Sequence, residues 1–199
     1  MRGMPGSRQD EGGTASERRV PARAVFLVGF MGAGKTSVGR ALSRRLGWRF
    51  EDLDDRIQTR EGRTVPEIFQ QSGEAGFREA ERAALAELLQ QQSGAPLIAA
   101  LGGGAFAQAE IAALLAEAEV TTVFLDASPD ELWRRCGTDV VERPLRREEA
   151  EFRRLYDLRR PRYLHATLRV ETNGRAITEI VDEIAGILKL DQRVSSEEK

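Results

Sequence analysis

Residues 29–36 read Gly29-Phe30-Met31-Gly32-Ala33-Gly34-Lys35-Thr36, which is the G-x-x-x-x-G-K-T spacing of a phosphate cradle. The glycines let the backbone curl with its N–H groups turned inward around phosphate oxygens, at a helix N-terminus whose dipole favours anions. A lysine at this position reaches the β- and γ-phosphates, and the Thr36 hydroxyl takes a place on Mg²⁺. A Gly-rich turn could match by accident, but the apolar run 24–28 before it and the helical pattern at 35–46 after it supply the required context. The pattern therefore predicts nucleotide binding. A guanine-reading N-K-x-D is missing, because the only asparagine is Asn173 and Gly174 follows it. A small-molecule or nucleotide kinase fits the size.

A second set of residues suits an acceptor. Phe50-Glu51-Asp52-Leu53-Asp54-Asp55 ends the second apolar run. Read as a strand end, Asp52 and Asp54 face one side. One carboxylate could then hold Mg²⁺ through its water shell, and the other could orient or deprotonate an acceptor hydroxyl. The alternative is an acidic helix N-terminus, where the dipole favours aspartate in any protein. Gly73-Glu74-Ala75-Gly76-Phe77-Arg78-Glu79-Ala80-Glu81 opens a helix. Arginine early in a helix is poorly placed for the dipole. Either Arg78 has another use, with Glu81 at i+3 fixing its guanidinium, or the two form an ordinary surface pair. Gly102-Gly103-Gly104 allow close backbone approach to a ligand, or make a plain strand-to-helix turn. Glu142–Arg147 read as a mobile lid carrying arginines. Arg159-Arg160-Pro161-Arg162-Tyr163 end a helix that Pro161 stops.

These groups can work together only if a scaffold brings them to one edge. The chain has 199 residues, enough for one domain with tails. Runs at 24–28, 96–101 and 120–125 are continuously apolar, as buried strands are, and shorter runs at 48–53 and 167–171 add two more. Between them, 35–46, 74–92, 107–117, 129–136, 148–162 and 176–189 carry helical spacing. Strand and helix in alternation predict an α/β fold, three layers deep, around a five-stranded parallel sheet. Ligands in such folds sit beyond the carboxyl ends of the strands, where the motifs above fall. Residues 1–22 and 191–199 lack apolar periodicity and read as disordered tails around a domain at 23–190.

Composition excludes several classes. Lys+Arg 30 against Asp+Glu 32 gives a net charge of −2 and pI near 5.7, so no basic field invites nucleic acid or an anionic membrane. The eight arginines from Arg143 to Arg162 are interleaved with acids, the pattern of a salt-laced helix face. A single cysteine, Cys136, excludes a disulfide framework or Cys-based zinc site, and a single histidine, His165, excludes a multi-His centre. Both are expected to pack or to sit at helix ends. No apolar run approaches the ~20 residues that span a bilayer, and no h-region follows Arg2 and Arg8. A cytoplasmic enzyme or binding domain is expected.

The stretches GFMGAGKTSVGR, FEDLDDRI, GEAGFREAE, LGGGAF, ERPL, RRPRY and TNGR occur in one order over roughly residues 23–188. Together they resemble the shikimate kinase family; the phosphate loop alone is widely shared, whereas the combination is specific. The resemblance implies a P-loop kinase fold with a mobile lid near 137–150. It also implies use of ATP and Mg²⁺ to phosphorylate the 3-hydroxyl of shikimate, in aromatic amino-acid biosynthesis; a monomer is expected. Carried over by position, Asp54, Arg78, Gly103 and Arg159 bind shikimate, with Gly102 and Gly104 beside them. Gly32, Ala33, Gly34, Lys35, Thr36 and Ser37 bind the ATP phosphates, and Thr36 and Asp52 serve Mg²⁺. Arg143 is the lid arginine on the nucleotide, and Arg135 and Arg175 flank adenine. Lys35, Asp54 and Arg143 form the catalytic set. Charge fits this assignment, since two arginines can grip a small carboxylate through charge-assisted pairs. Cys136–Glu142 is longer than the family pattern, and the 22-residue head has no counterpart in it. Two rivals stand beside this reading. A gluconate-type kinase would not demand the G-E-x-x-F-R and R-x-P-x-Y set. A non-catalytic ATP-binding module would not need Lys35, Thr36, Asp52 and Asp54 intact.

Overall fold

Five short strands form one parallel sheet: β1 (Ala24–Val28), β2 (Arg49–Asp52), β3 (Leu97–Ala100), β4 (Thr121–Asp126) and β5 (Leu168–Glu171). Their order across the sheet is β2-β3-β1-β4-β5, with Leu27 of β1 opposite Ala100 on one side and Val123 on the other. The computed structural model describes residues 23–91, 95–138 and 148–190. The tails at 1–22 and 191–199, and residues 139–147 of the lid with Arg143, lie outside the described residues.

Because β1 is central, both faces must be covered, and every one of its residues is buried. This explains its unbroken apolar run. The helices are α1 (Lys35–Leu46), α2 (Leu53–Glu61), α3 (Val65–Gln90), α4 (Ala109–Glu117), α5 (Pro129–Thr138), α6 (Glu149–Tyr163) and α7 (Ile177–Ile187). Right-handed crossovers dictate their sides. The path from β1 to β2 runs one way along the sheet, whereas the paths from β2 to β3, β3 to β4 and β4 to β5 run the other way. So α1 lies on one face, where α7 packs against it, and α3 and α4 pack together on the opposite face. The direction reverses between β1 and β3. The carboxyl ends of those two strands are the crevice where such sheets take ligands. Among the described residues, no helix is long and apolar enough to cross a membrane.

Three local expectations change. First, residues 53–61 and 65–72 are helical. α2 buries only Leu53 and Ile57, too few for a periodic signal, and α3 begins at Val65 behind a Thr64/Glu67 capping box. Gly73 (φ 67°, ψ −174°) then breaks α3 and re-aims it, so the helix opened by Gly73-Glu74 is its second half. Second, Asp52 and Asp54 do not share a strand. β2 ends at Asp52, which caps α2 by accepting from the Asp54 N–H at 3.1 Å, and Asp54 lies in the first turn of α2. Third, Pro161 does not stop α6, which continues to Tyr163. The Tyr163 ring is fully buried and its hydroxyl donates to the Gly103 carbonyl; these contacts hold the last turn despite the backbone bond that proline cannot make.

Candidate active site

The phosphate loop runs from the end of β1 into α1. Gly29, Gly32 and Gly34 all take positive φ (141°, 78° and 85°), so the tight curl depends on these residues. A Cβ on Gly32 would lie 2.8 Å from the Cys136 sulfur and 2.9 Å from the Leu132 carbonyl, so buried Cys136 is a packing partner of the loop, as expected. The first turn of α1 holds neither a capping side chain nor an acidic residue, which leaves its N–H groups for an anion. The Lys35 ammonium donates to the Gly29 carbonyl at 3.0 Å and to Phe30 at 2.9 Å, closing the loop on itself. Ala33 is buried and Ser37 exposed on the same curl. Thr36 Oγ1 donates to Asp52 Oδ2 at 2.7 Å. Asp52 is therefore both a helix cap and the neighbour of the loop threonine. These hard oxygen donors fit Mg²⁺, which keeps most of its coordination shell as water and takes few protein ligands.

The glycine triplet after β3 joins this loop to a second group of side chains. A Cβ on Gly102 would meet Glu81 Oε1 at 2.7 Å and Asp54 Oδ1 at 2.9 Å; on Gly103, the Met31 N–H nitrogen at 3.1 Å; on Gly104, Arg78 Nη2 at 2.8 Å and Arg159 Nη1 at 3.2 Å. Three successive residues thus abut an acid pair, the phosphate loop and two guanidinium groups. A side chain at any of the three positions would collide with these neighbours.

Arg78 and Arg159 come from different helices, the second half of α3 and the end of α6, and converge on Gly104. Arg78 is no surface pair. It donates to Glu81 at 2.7 Å, and Glu81 is wholly buried. Burial alone would lower the Arg78 pKa, but the Glu81 carboxylate, with a bond to Glu74, outweighs this and raises it. Arg159 donates to the Gly103 carbonyl at 3.4 Å, and its guanidinium lies 5.9 Å from the centre of the Phe30 ring. Phe30 in turn stands edge-on to Phe152 and Tyr156 of α6. Burial raises the Tyr163 phenol pKa, so this group stays protonated and keeps donating to Gly103.

A cluster of two cations and a carboxylate, set against a glycine triplet that abuts the phosphate loop, suits transfer of a phosphoryl group to a small anionic acceptor. The family model for shikimate kinase matches residues 31–189. This chain belongs to the shikimate kinase family. The family's enzyme from Synechococcus sp. (strain CC9605) is 40% identical over 177 residues, covering 87% of this chain and 85% of that protein. Among solved structures, the shikimate kinase from Acinetobacter baumannii in complex with shikimate superposes with a TM-score of 0.77 at 35% identity, over 85% of this chain and 94% of that one. A gluconokinase from Sinorhizobium meliloti reaches a TM-score of 0.58 at 22% identity, over 92% of this chain and all of that one. That likeness extends to the fold alone.

The remaining family positions lie at the far end of the sheet. Arg135 of α5 donates to Glu131 at 2.8 Å and to the Thr172 carbonyl at 2.7 Å. Arg134, first of the two arginines on Glu131, and then Arg135 hold its carboxyl at a pKa of about 2. Arg175 donates to the Glu171 carbonyl at 2.9 Å and pairs with Glu183. Both arginines thus gather around residues 171–175, the stretch after β5. Sequence reasoning gave no role to Asp126, which is buried at the end of β4 and accepts from Arg160 and Arg169, each at 2.8 Å. It also missed Gln108, which no motif marks. His165 is exposed just beyond α6.

Proposed function

We propose that this chain transfers the γ-phosphoryl group of ATP to the 3-hydroxyl of shikimate, giving shikimate 3-phosphate and ADP. The observation that carries the reading is the convergence of Arg78 and Arg159 at Gly104, with Asp54 and the phosphate loop against the two preceding glycines. Shikimate carries one carboxylate on a ring that also bears hydroxyls, so it needs cations at one end and a hydroxyl-orienting acid at the other.

In this reading the loop 32–37 holds the ATP phosphates, and Lys35 exchanges its carbonyl partners for phosphate oxygens. Arg78 and Arg159 pair with the shikimate carboxylate. Asp54 accepts from the reacting hydroxyl, fixes its direction and takes up its proton as the new P–O bond forms and the bond to ADP breaks. Thr36 and Asp52 would hold Mg²⁺, which when bound offsets charge on the β- and γ-phosphates. Arg135 and Arg175 are assigned to the adenine side. The chain is read as a cytoplasmic monomer without a nucleic-acid or membrane partner, in line with its balanced charge.

Coupled measurement of ADP release with MgATP and shikimate, quinate or gluconate tests the assignment. Release with shikimate, stopped by EDTA, is expected; robust release with gluconate and none with shikimate would overturn it. Arg143 comes from the E-R-P-L stretch and is assigned to the transferring phosphoryl group. Arg143→Ala is expected to lower kcat by about tenfold or more with little change in shikimate affinity, because that contact strengthens in the transition state. An unchanged kcat with a raised KM for shikimate would place Arg143 on the acceptor instead.

A further inference from the structure

Glu81 is fully buried, and among the described residues its Oε1 has no hydrogen-bond partner. A carboxylate taken out of water needs strong donors to stay charged. Arg78 supplies one bond, to Oε2 at 2.7 Å. A second comes from Gln108, whose amide donates to the same oxygen at 2.7 Å. Gln108 is the residue before α4, with the extended backbone of a helix cap, yet its side chain makes no capping bond to that helix. Cap positions favour short side chains that bond back to the first turn. Here a long one reaches past the helix end to a residue 27 positions earlier.

We infer that Gln108 is a positioning residue for the acceptor site: it fixes the buried Glu81 carboxylate, which fixes the guanidinium of Arg78. The inference rests on the proposed role of Arg78 and Arg159 in holding the shikimate carboxylate. The order Gln108, Glu81, Arg78 runs from the start of α4 to the two guanidinium groups at Gly104. Its middle member also bears on Asp54, because Glu81 Oε1 and Asp54 Oδ1 both crowd the space off Gly102. If the amide is lost, Glu81 can turn, and Arg78 loses the single geometry in which it presents its nitrogens to a carboxylate.

The test is Gln108→Met, which keeps the length and removes the donor. Steady-state KM for shikimate is expected to rise about tenfold, with kcat and KM for ATP within about twofold of the parent. Gln108→Glu, which places a second carboxylate against Glu81, is expected to raise the same KM further, and it provides the measurement if Gln108→Met does not fold. The effect of Gln108→Met should shrink in an Arg78→Lys background, because the amide acts through that guanidinium. A shikimate KM unchanged within twofold would overturn the inference, as would equal losses in kcat, KM for ATP and KM for shikimate. Arg159→Ala, measured alongside, separates the two failures. If it raises KM for shikimate and Gln108→Met does not, only the role of Gln108 is wrong; if it leaves KM unchanged, the carboxylate assignment itself fails.

Discussion

Asp54→Asn is expected to lower kcat by about 10²-fold or more, because phosphoryl transfer depends on positioning and charge, and the proposed role of Asp54 is to orient the reacting hydroxyl of the acceptor. Asparagine keeps the shape but removes the negative charge and the proton acceptor. The fold should survive. Asp54 sits in the first turn of α2, where its favourable effect on the dipole is worth about 0.3–1 kcal/mol, and Asp52 rather than Asp54 caps the helix. Steady-state kcat from ADP release, with a thermal melt beside it, checks the expectation. Near-normal kcat in Asp54→Asn together with its abolition in Arg78→Ala would mean that the two roles are reversed.

Arg78→Ala and Arg159→Ala are each expected to raise KM for shikimate by roughly 10- to 150-fold, the worth of one hydrogen bond to a charged group. In the proposed role both arginines hold a carboxylate that does not react, so they act alike in ground and transition states, and ATP affinity should change little. Stability separates the pair. Arg159 leans on a backbone carbonyl and the Phe30 face, and its removal leaves no buried charge behind. Arg78 partners the fully buried Glu81, so Arg78→Ala strands a carboxylate and should cost about 3 kcal/mol. A lower melting temperature for Arg78→Ala alone, with both KM values raised, is the expected result. Equal melting temperatures would mean that Gln108 alone can keep Glu81 satisfied, and an unchanged KM in Arg159→Ala would remove it from the acceptor.

The layers, the strand count and the phosphate loop were legible in the sequence because buried parallel strands are continuous apolar runs and the loop's glycines have a fixed spacing. Helix α1 begins and ends where its pattern does, at Lys35 and Leu46. What was hidden had a physical cause in each case. α2 keeps only Leu53 and Ile57 inside, so its face is too narrow to read, although Thr64, Pro66 and Glu67 spell the start of the helix that follows it. The alternation rule placed Asp52 and Asp54 on one strand, yet the strand gives way to a helix between them. The cap reading applies to Asp52, which accepts from the Asp54 N–H, and the same carboxylate also accepts from Thr36. Pro161 was read as a stop because sequence shows the missing N–H and not the buried ring of Tyr163 two residues on. Glu81 could be named as the partner of Arg78 because i,i+3 spacing is local. Gln108 could not, since its bond to Glu81 spans 27 positions.

The central claim concerns where the phosphate goes. Shikimate and MgATP should be turned over to completion and the product analysed by phosphorus–proton correlation NMR. The account predicts one phosphate ester, with its phosphorus coupled to the proton on carbon 3 of the shikimate ring, in equal amount to the ADP formed. ADP and inorganic phosphate without an ester, or an ester at another hydroxyl, would contradict it.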